Sequence, residues 1–153
     1  MSIWIVHAVR TISDDVPAPP DQVRDFYVDL DNIKDLHPLV VSVQLLEHHH
    51  TAGGYQKTYR VQDRIPLGPL SMRITYWARV DVPTHGDVIT EARQFPRVQL
   101  NGIVTFQPID SGTRLTERLN VSAPRLLAAM TEREAVNAHV AMLAGIRGHF
   151  ESR

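Results

Sequence analysis

Residues 70–82 read LSMRITYWARVDV, and this stretch decides the fold. Apolar and polar side chains alternate along it, and the apolar positions are Leu70, Met72, Ile74, Tyr76, Ala78, Val80 and Val82. A period of two is typical of a β-strand that buries one face, whereas a helix would scatter these positions around its axis. Long strands in a small domain usually belong to strongly bent sheets. The stretch therefore predicts one strand of a curved antiparallel sheet.

The same alternation continues on both sides of this strand. We predict six further strands, at residues 3–13, 40–47, 55–65, 87–95, 98–108 and 113–121. Residues 48–54, 66–69, 83–86 and 110–112 contain the Gly or Pro residues that are typical of turns. Residues 14–20 are rich in proline and are predicted to leave the sheet. A β-bulge is predicted at Gly102, because a turn at that point would leave only a stub of strand before it.

Helical periodicity replaces alternation in three segments. Asp21 is predicted to cap a helix with apolar residues at positions 23, 26, 27 and 30, and residues 31–36 form a second short helical segment. From Pro124 onward the chain is predicted to be helical, with an apolar stripe at Val136, His139, Val140, Leu143, Ile146 and Phe150. Thr131 and Glu134 fit a capping box, so this region is either one helix that kinks at Thr131 or two helices.

The composition fits one domain that spans residues 1–153. Hydrophobic residues make up 43% and charged residues 22%, which supplies a core but no apolar run long enough to cross a bilayer. The net charge is −1 without a cluster of Lys or Arg, so we predict no nucleic-acid partner. Cysteine is absent, which excludes disulfides and thiolate chemistry. The first residues do not resemble a signal peptide, and we expect a cytoplasmic monomer or homodimer without stable membrane insertion.

The predicted order is one strand, two short helices, six strands and a long helix. A sheet of this kind must bury one face, and the long C-terminal helix is the element that can cover it. We therefore predict an α+β fold, in which a curved seven-stranded antiparallel sheet wraps around the C-terminal helix and two short helices connect strands 1 and 2.

Three short segments resemble a known family. Residues 16–23 read VPAPPDQV and are followed by Phe26 and Asp29, residues 36–40 read LHPLV, and residues 111–117 read SGTRLTE. These segments resemble the polyketide cyclase/dehydrase and lipid transport branch of the SRPBCC, or START/Bet v 1-like, superfamily, whose architecture is called the helix-grip fold. The chain departs from the usual pattern at Arg24, where an aromatic residue is frequent, and at Leu36, where Trp is frequent.

The resemblance implies a cavity between the concave face of the sheet and the last helix. Members of the family bind apolar small molecules such as lipids or polyketides, and some cyclise or dehydrate polyketides. The matching segments are structural, so no catalytic residue is transferred to this chain, and no cofactor is expected. The resemblance favours binding or transport of an apolar small molecule. A polyketide cyclase or dehydratase is one alternative, and a protein-interaction module with a packed interior is another.

The side chains predicted to line the cavity are Tyr59, Asp63, Met72, Ile74, Tyr76, Glu117, His139 and Leu143. Asp63 and Glu117 are costly to bury alone. Each is a ligand anchor or general base, or forms an internal ion pair with Lys57 or an Arg, or is turned outward by a bulge. His139 binds a ligand, acts as an acid or base, or is a hydrogen-bonded core histidine. The two tyrosines orient a polar group of the ligand or fill volume in the wall.

The hairpin tip at residues 65–70 is unusually apolar for an exposed turn. We predict a cavity entrance formed by Ile65, Leu67, Leu70 and Phe95. The same tip could instead contact a membrane surface or a partner subunit, or pack against the last helix. Residues 48–50 are three consecutive histidines, and we interpret them as a solvated turn. They are not interpreted as a metal site, because consecutive side chains at a strand end point in opposite directions.

Overall fold

A computed structural model describes residues 4–153, with the exception of the side chain of Leu67. The strands are β1 (Ile5–Val16), β2 (Val40–Thr51), β3 (Gly54–Leu67), β4 (Leu70–Pro83), β5 (Val88–Gln94), β6 (Val98–Ile109) and β7 (Gly112–Pro124). The helices are α1 (Pro20–Tyr27), α2 (Leu30–Ile33) and α3 (Arg125–Glu151). The predicted order of elements is confirmed.

The strands form one antiparallel sheet with the order β1-β7-β6-β5-β4-β3-β2. From β2 to β7 each strand pairs with the next one along the chain, whereas β1 crosses to the far edge and pairs with β7. The sheet is open and curved, and α3 packs against it. The predicted helix-grip fold is therefore confirmed.

The buried residues of α3 lie in the C-terminal half of this helix. Met142, Leu143, Ile146 and Phe150 of this helix belong to the buried core, together with valines from the sheet. Phe26 of α1 meets Phe150 edge-on, with ring centroids 5.5 Å apart. The space beside the N-terminal half of α3 is not filled in this way, and the candidate site lies there.

The prediction that residues 14–20 leave the sheet is wrong for the first three of them. β1 continues to Val16, which pairs with Thr113 of β7. The prolines begin only at Pro17, so residues 14–16 keep the N–H groups that the ladder needs. Gly112 begins β7 with φ of 141°, and a Cβ at this position would lie 2.2 Å from the carbonyl oxygen of Val16. The close approach of β1 to β7 therefore requires glycine here.

Two hairpins are tighter than predicted. The three histidines belong to β2, where His48 pairs with Lys57 and His50 pairs with Tyr55, so their interpretation as a turn is wrong. The turn between β2 and β3 is confined to residues 52–53. The loop predicted at residues 66–69 shrinks to residues 68–69, because Pro66 continues the pairing of β3 with β4. Pro66 is exposed, and Gly68 supplies the positive φ of 62° that the turn uses.

No bulge occurs at Gly102, in contrast to the prediction. β6 runs through this residue in regular register, with Thr90 on one side and Leu119 on the other. A Cβ on Gly102 would lie 2.4 Å from Oγ1 of Thr90. The glycine makes room for the side chain on the neighbouring strand and does not kink its own strand.

The helix boundaries also differ from the predictions. α1 begins at Pro20 and not after Asp21, because proline is well suited to the first helical position. α2 is shorter than predicted, and the Asp29 side chain caps it by accepting a hydrogen bond from the N–H of Asp31. α3 is a single helix, so the two-helix alternative is wrong. Thr131 lies inside this helix and caps nothing.

Candidate functional site

A cavity of about 420 Å³ lies between the sheet and the N-terminal half of α3. Its walls come from β3, β4, β5, β6, β7 and α3, and they are mostly apolar. The apolar side chains that line it are Leu39, Ile65, Met72, Ile74, Ala92, Phe95, Pro96, Val98, Leu100, Val121, Leu127, Met130 and Ala135. Such a volume and such walls are typical of sites that bind small organic molecules.

A cluster of polar side chains lies at the inner end of the cavity. His37 from the segment after α2, Asp63 of β3, Tyr76 of β4 and His139 of α3 contribute to it. The rings of His37 and His139 meet edge-on, with centroids 5.3 Å apart. Beyond them lies a second chamber of about 110 Å³, whose wall also includes both histidines and Tyr76. The two histidines therefore stand between an outer and an inner compartment.

His139 is held by a buried hydrogen-bonded chain. Its Nδ1 lies 2.9 Å from Oε2 of Glu117, and the Tyr27 hydroxyl donates to the same oxygen at 2.9 Å. Glu117 is 0% exposed, and its two partners account for its burial. Because Nδ1 is engaged with the carboxylate, Nε2 is the ring nitrogen left for other partners. The arrangement fixes the orientation of the imidazole.

The charges around the two histidines set their pKa values in opposite directions. Burial lowers the pKa of His139, but the Glu117 carboxylate, its hydrogen bond and the Asp63 charge outweigh burial and raise the pKa. Burial and the nearby charge of His139 lower the pKa of His37 to about 3. The Nδ1 of His37 accepts a hydrogen bond from the N–H of Leu39 at 3.3 Å. His37 is therefore neutral near pH 7, with its proton on Nε2.

Asp63 differs from Glu117 because its carboxylate is not fully satisfied. The residue is only 6% exposed, and Oδ1 has no hydrogen-bond partner within the described part of the chain. Burial raises the pKa of Asp63 to about 6, although the Tyr76 hydroxyl as hydrogen-bond partner and the charge of His139 act in the opposite direction. The same burial, together with the Asp63 carboxylate, raises the pKa of Tyr76 well above its usual value.

The chain matches the family model described as polyketide cyclase / dehydrase and lipid transport over residues 7–150. This match covers nearly the whole sequence. The chain belongs to this family. No curated protein matches the chain significantly.

Solved structures share the fold of this family member at low identity. The Zhui aromatase/cyclase from a Streptomyces species is 20% identical, with a TM-score of 0.72 over 98% of this chain and 96% of the other. A START superfamily protein from Mycobacterium smegmatis is 16% identical, with a TM-score of 0.66 over 95% and 97%. The di-domain ARO/CYC BexL is 20% identical, with a TM-score of 0.73, and the match covers 96% of this chain and 51% of BexL. This chain thus corresponds to about half of BexL.

The structure of this family member brings five of the eight predicted lining residues to the wall of the outer cavity. They are Asp63, Met72, Ile74, Tyr76 and His139. Glu117 lies one layer behind the wall and contacts His139. Tyr59 and Leu143 are buried in the packed core and do not line the cavity. Their inward direction is as predicted, but neighbouring core side chains cover them. Binding of a ligand by any of these residues remains a prediction.

The predicted entrance is only partly formed by the expected residues. Ile65 and Phe95 line the cavity, and the Phe95 side chain is 92% exposed. Leu70 does not line it and is 73% exposed. The predicted role of Leu67 rests on its side chain, which lies outside the described part of the structure.

Several lining residues were not predicted from the sequence. His37 lies in the segment between α2 and β2, and periodicity says nothing about such a segment. Thr131 and Glu134 were assigned to a capping box, yet both line the cavity from α3. Ala135, Thr131 and Leu127 lie four, eight and twelve residues before His139, and Glu134 lies beside Ala135. This spacing was a signal that an uninterrupted helix faces the cavity with this side.

The expected ion pair of Glu117 or Asp63 with Lys57 or an Arg is not formed among the described residues. Glu117 pairs with His139, and the Nζ of Lys57 lies over the ring of Tyr55 at 5.7 Å from its centroid. Within residues 4–153, no three His, Asp or Glu side chains come close enough to share a metal ion. None of the helices in this range is long and apolar enough to span a membrane.

Proposed function

We propose that the chain binds an apolar small molecule, such as a lipid or a polyketide, in the cavity between the sheet and α3. The observation that carries this proposal is the mostly apolar cavity of about 420 Å³ with a cluster of polar side chains at its inner end. Such a division suits a ligand with an apolar body and one polar end. The open interior favours a container over an interaction module with a packed interior.

Native mass spectrometry of the protein purified from cells tests this proposal, and a matched pair of variants sharpens it. Ala135→Trp places an indole in the cavity, whereas Ala141→Trp places it on an exposed position of the same helix. We expect the wild type and Ala141→Trp to retain a bound lipid- or polyketide-like molecule. Ala135→Trp is expected to lose it, because a blocked pocket excludes ligand. Equal retention by both variants would place the ligand elsewhere.

A cyclase or dehydratase is the second candidate function, and the Tyr27–Glu117–His139 chain favours it. A histidine whose Nδ1 is fixed by a carboxylate presents Nε2 in a defined direction, which is the arrangement of a general base. Its position at the inner end of the cavity suits abstraction of a proton next to a ligand carbonyl. In its neutral form, with the proton on Nδ1 toward Glu117, His139 accepts the proton from that carbon at Nε2, and an enolate forms.

Deuterium exchange distinguishes this candidate from a carrier. If the protein is such an enzyme, it is expected to speed deuterium exchange at the carbon next to the carbonyl of an aromatic ketone. NMR in heavy water measures the exchange rate. His139→Gln is expected to reduce the protein-dependent rate by about 100-fold or more, the usual contribution of a general base. Binding of the ketone, measured in the same samples, is expected to change far less. A wild-type rate no faster than that of His139→Gln would exclude this mechanism and leave the carrier.

A further inference from the structure

The polar cluster at the inner end of the cavity contains one buried oxygen without a hydrogen-bond partner among the described residues. Asp63 lies on the cavity wall, is more than nine-tenths buried, and its Oδ1 accepts no hydrogen bond from any residue that the structure describes. Glu117 is also buried, but its carboxylate is satisfied by Tyr27 and His139. A buried carboxylate oxygen without a donor is unfavourable, so a donor from the cavity side would stabilise it.

The charges of the cavity wall restrict what that donor can be. Among the described residues that line the cavity, none is Lys or Arg, whereas Asp63 and Glu134 are both acidic. A ligand carboxylate would therefore meet like charges, and the cationic form of His139 is already paired with Glu117. A ligand ammonium group would be attracted by these carboxylates, but it would lose its hydration in a mostly apolar cavity and would lie beside His139, whose charged form the Glu117 carboxylate favours. A neutral group that donates a hydrogen bond avoids both conflicts.

We infer that Asp63 is the specificity-determining residue of the cavity, and that the cavity takes apolar ligands whose inner end carries a neutral hydroxyl, as in an alcohol, phenol or enol. This inference rests on the proposed function and deepens it. The hydroxyl donates to Oδ1 of Asp63 beside Tyr76 and His139, while the rest of the ligand extends along the apolar wall toward Phe95. Fatty acids and other carboxylates are disfavoured.

Three naphthalenes of nearly equal size test this inference, each substituted at the same ring carbon. They are naphthol, fluoronaphthalene and naphthoate, and their dissociation constants are measured by ligand-observed NMR at about pH 7.5. A hydrogen bond to a charged group contributes roughly 1.5–3 kcal/mol, so naphthol is expected to bind at least about tenfold more tightly than fluoronaphthalene. Naphthoate is expected to bind most weakly of the three.

Variants of Asp63 test whether this side chain causes the preference for naphthol. Asp63→Leu removes the acceptor and is expected to abolish the preference for naphthol over fluoronaphthalene. Asp63→Asn keeps a neutral acceptor oxygen and is expected to retain only part of this preference. This variant provides the test if Asp63→Leu does not fold. Asp87→Leu is the matched control, because Asp87 is exposed and lies away from the cavity. It is expected to leave the preference unchanged.

The outcomes separate this inference from the proposed function. Binding of fluoronaphthalene as tightly as naphthol, or a preference that is undiminished in Asp63→Leu or in Asp63→Asn, would overturn the role of Asp63 but leave the apolar cavity intact. Tightest binding of naphthoate would also overturn it. No binding of any of the three naphthalenes by the wild type would overturn the container itself.

Discussion

Replacement of Glu117 by alanine is expected to lower the free energy of unfolding by ~3–5 kcal/mol, the usual cost of breaking a buried charged pair by removing one partner. Glu117 is fully buried, and its carboxylate binds both the Tyr27 hydroxyl and the His139 ring. Alanine would leave both partners without an acceptor and would open a small cavity between β7 and α3. Urea denaturation monitored by circular dichroism measures the change.

Two further variants assign this loss to the hydrogen-bonded chain. Tyr27→Phe removes one donor to Glu117 and is expected to lose only about 1–2 kcal/mol, the scale of a single hydrogen bond. Arg118→Ala changes the next residue of β7, which is exposed, and is expected to have a much smaller effect. If Glu117→Ala proved no less stable than Arg118→Ala, the chain from Tyr27 to His139 would not contribute to the fold.

His37 is expected to make the protein less stable as the pH falls below about 6.5, the ordinary pKa of a histidine. Its pKa in the folded protein is lowered to about 3, so between these values the unfolded chain binds a proton that the folded chain does not. Stability therefore falls with falling pH across this window and is unaffected by His37 above it. Because the side chain is partly exposed, we expect about 2 kcal/mol between pH 7 and pH 4.

The contribution of His37 is obtained as a difference between two pH profiles. His37→Asn retains an acceptor for the N–H of Leu39 but cannot titrate, so it is expected to flatten the profile relative to the wild type. His85→Asn removes an exposed histidine in the turn after β4 and is expected to leave the profile unchanged. Parallel profiles for His37→Asn and the wild type would show that His37 is not held neutral by the fold.

The fold could be predicted because its determinants are local and periodic. The alternation from Leu70 to Val82 indicated a long strand without knowledge of its neighbours, and the apolar stripe from Val136 to Phe150 indicated the helix that covers the sheet. The ends of elements were less predictable, because they depend on partners distant in sequence. β1 extends to Val16 since Thr113 of β7 is available to pair with it, and no local signal reports this.

For the site, the sequence predicted only the face toward which each side chain points. Alternation placed Asp63 and Glu117 on the concave face, and helical spacing placed His139 there too. Their different roles depend on distant partners. Tyr27 lies 90 residues before Glu117 in the chain and donates to its carboxylate, whereas Oδ1 of Asp63 has no hydrogen-bond partner among the described residues. Tyr59 and Leu143 show the same limit, because periodicity separates inward from outward residues but not the wall of a cavity from the packed core.

The pairing of β1 with β7 has a consequence for how the chain matures during synthesis. The strands β2 to β7 are joined as successive neighbours, so their pairing proceeds while the chain is still growing. β1 cannot pair until its partner β7, the last strand, has been synthesised, and α3 follows β7 in the chain. Until β7 and α3 have left the ribosome, the apolar face of the sheet that becomes the cavity wall is uncovered. We therefore expect nascent chains, rather than the finished protein, to be the species that depends on chaperones.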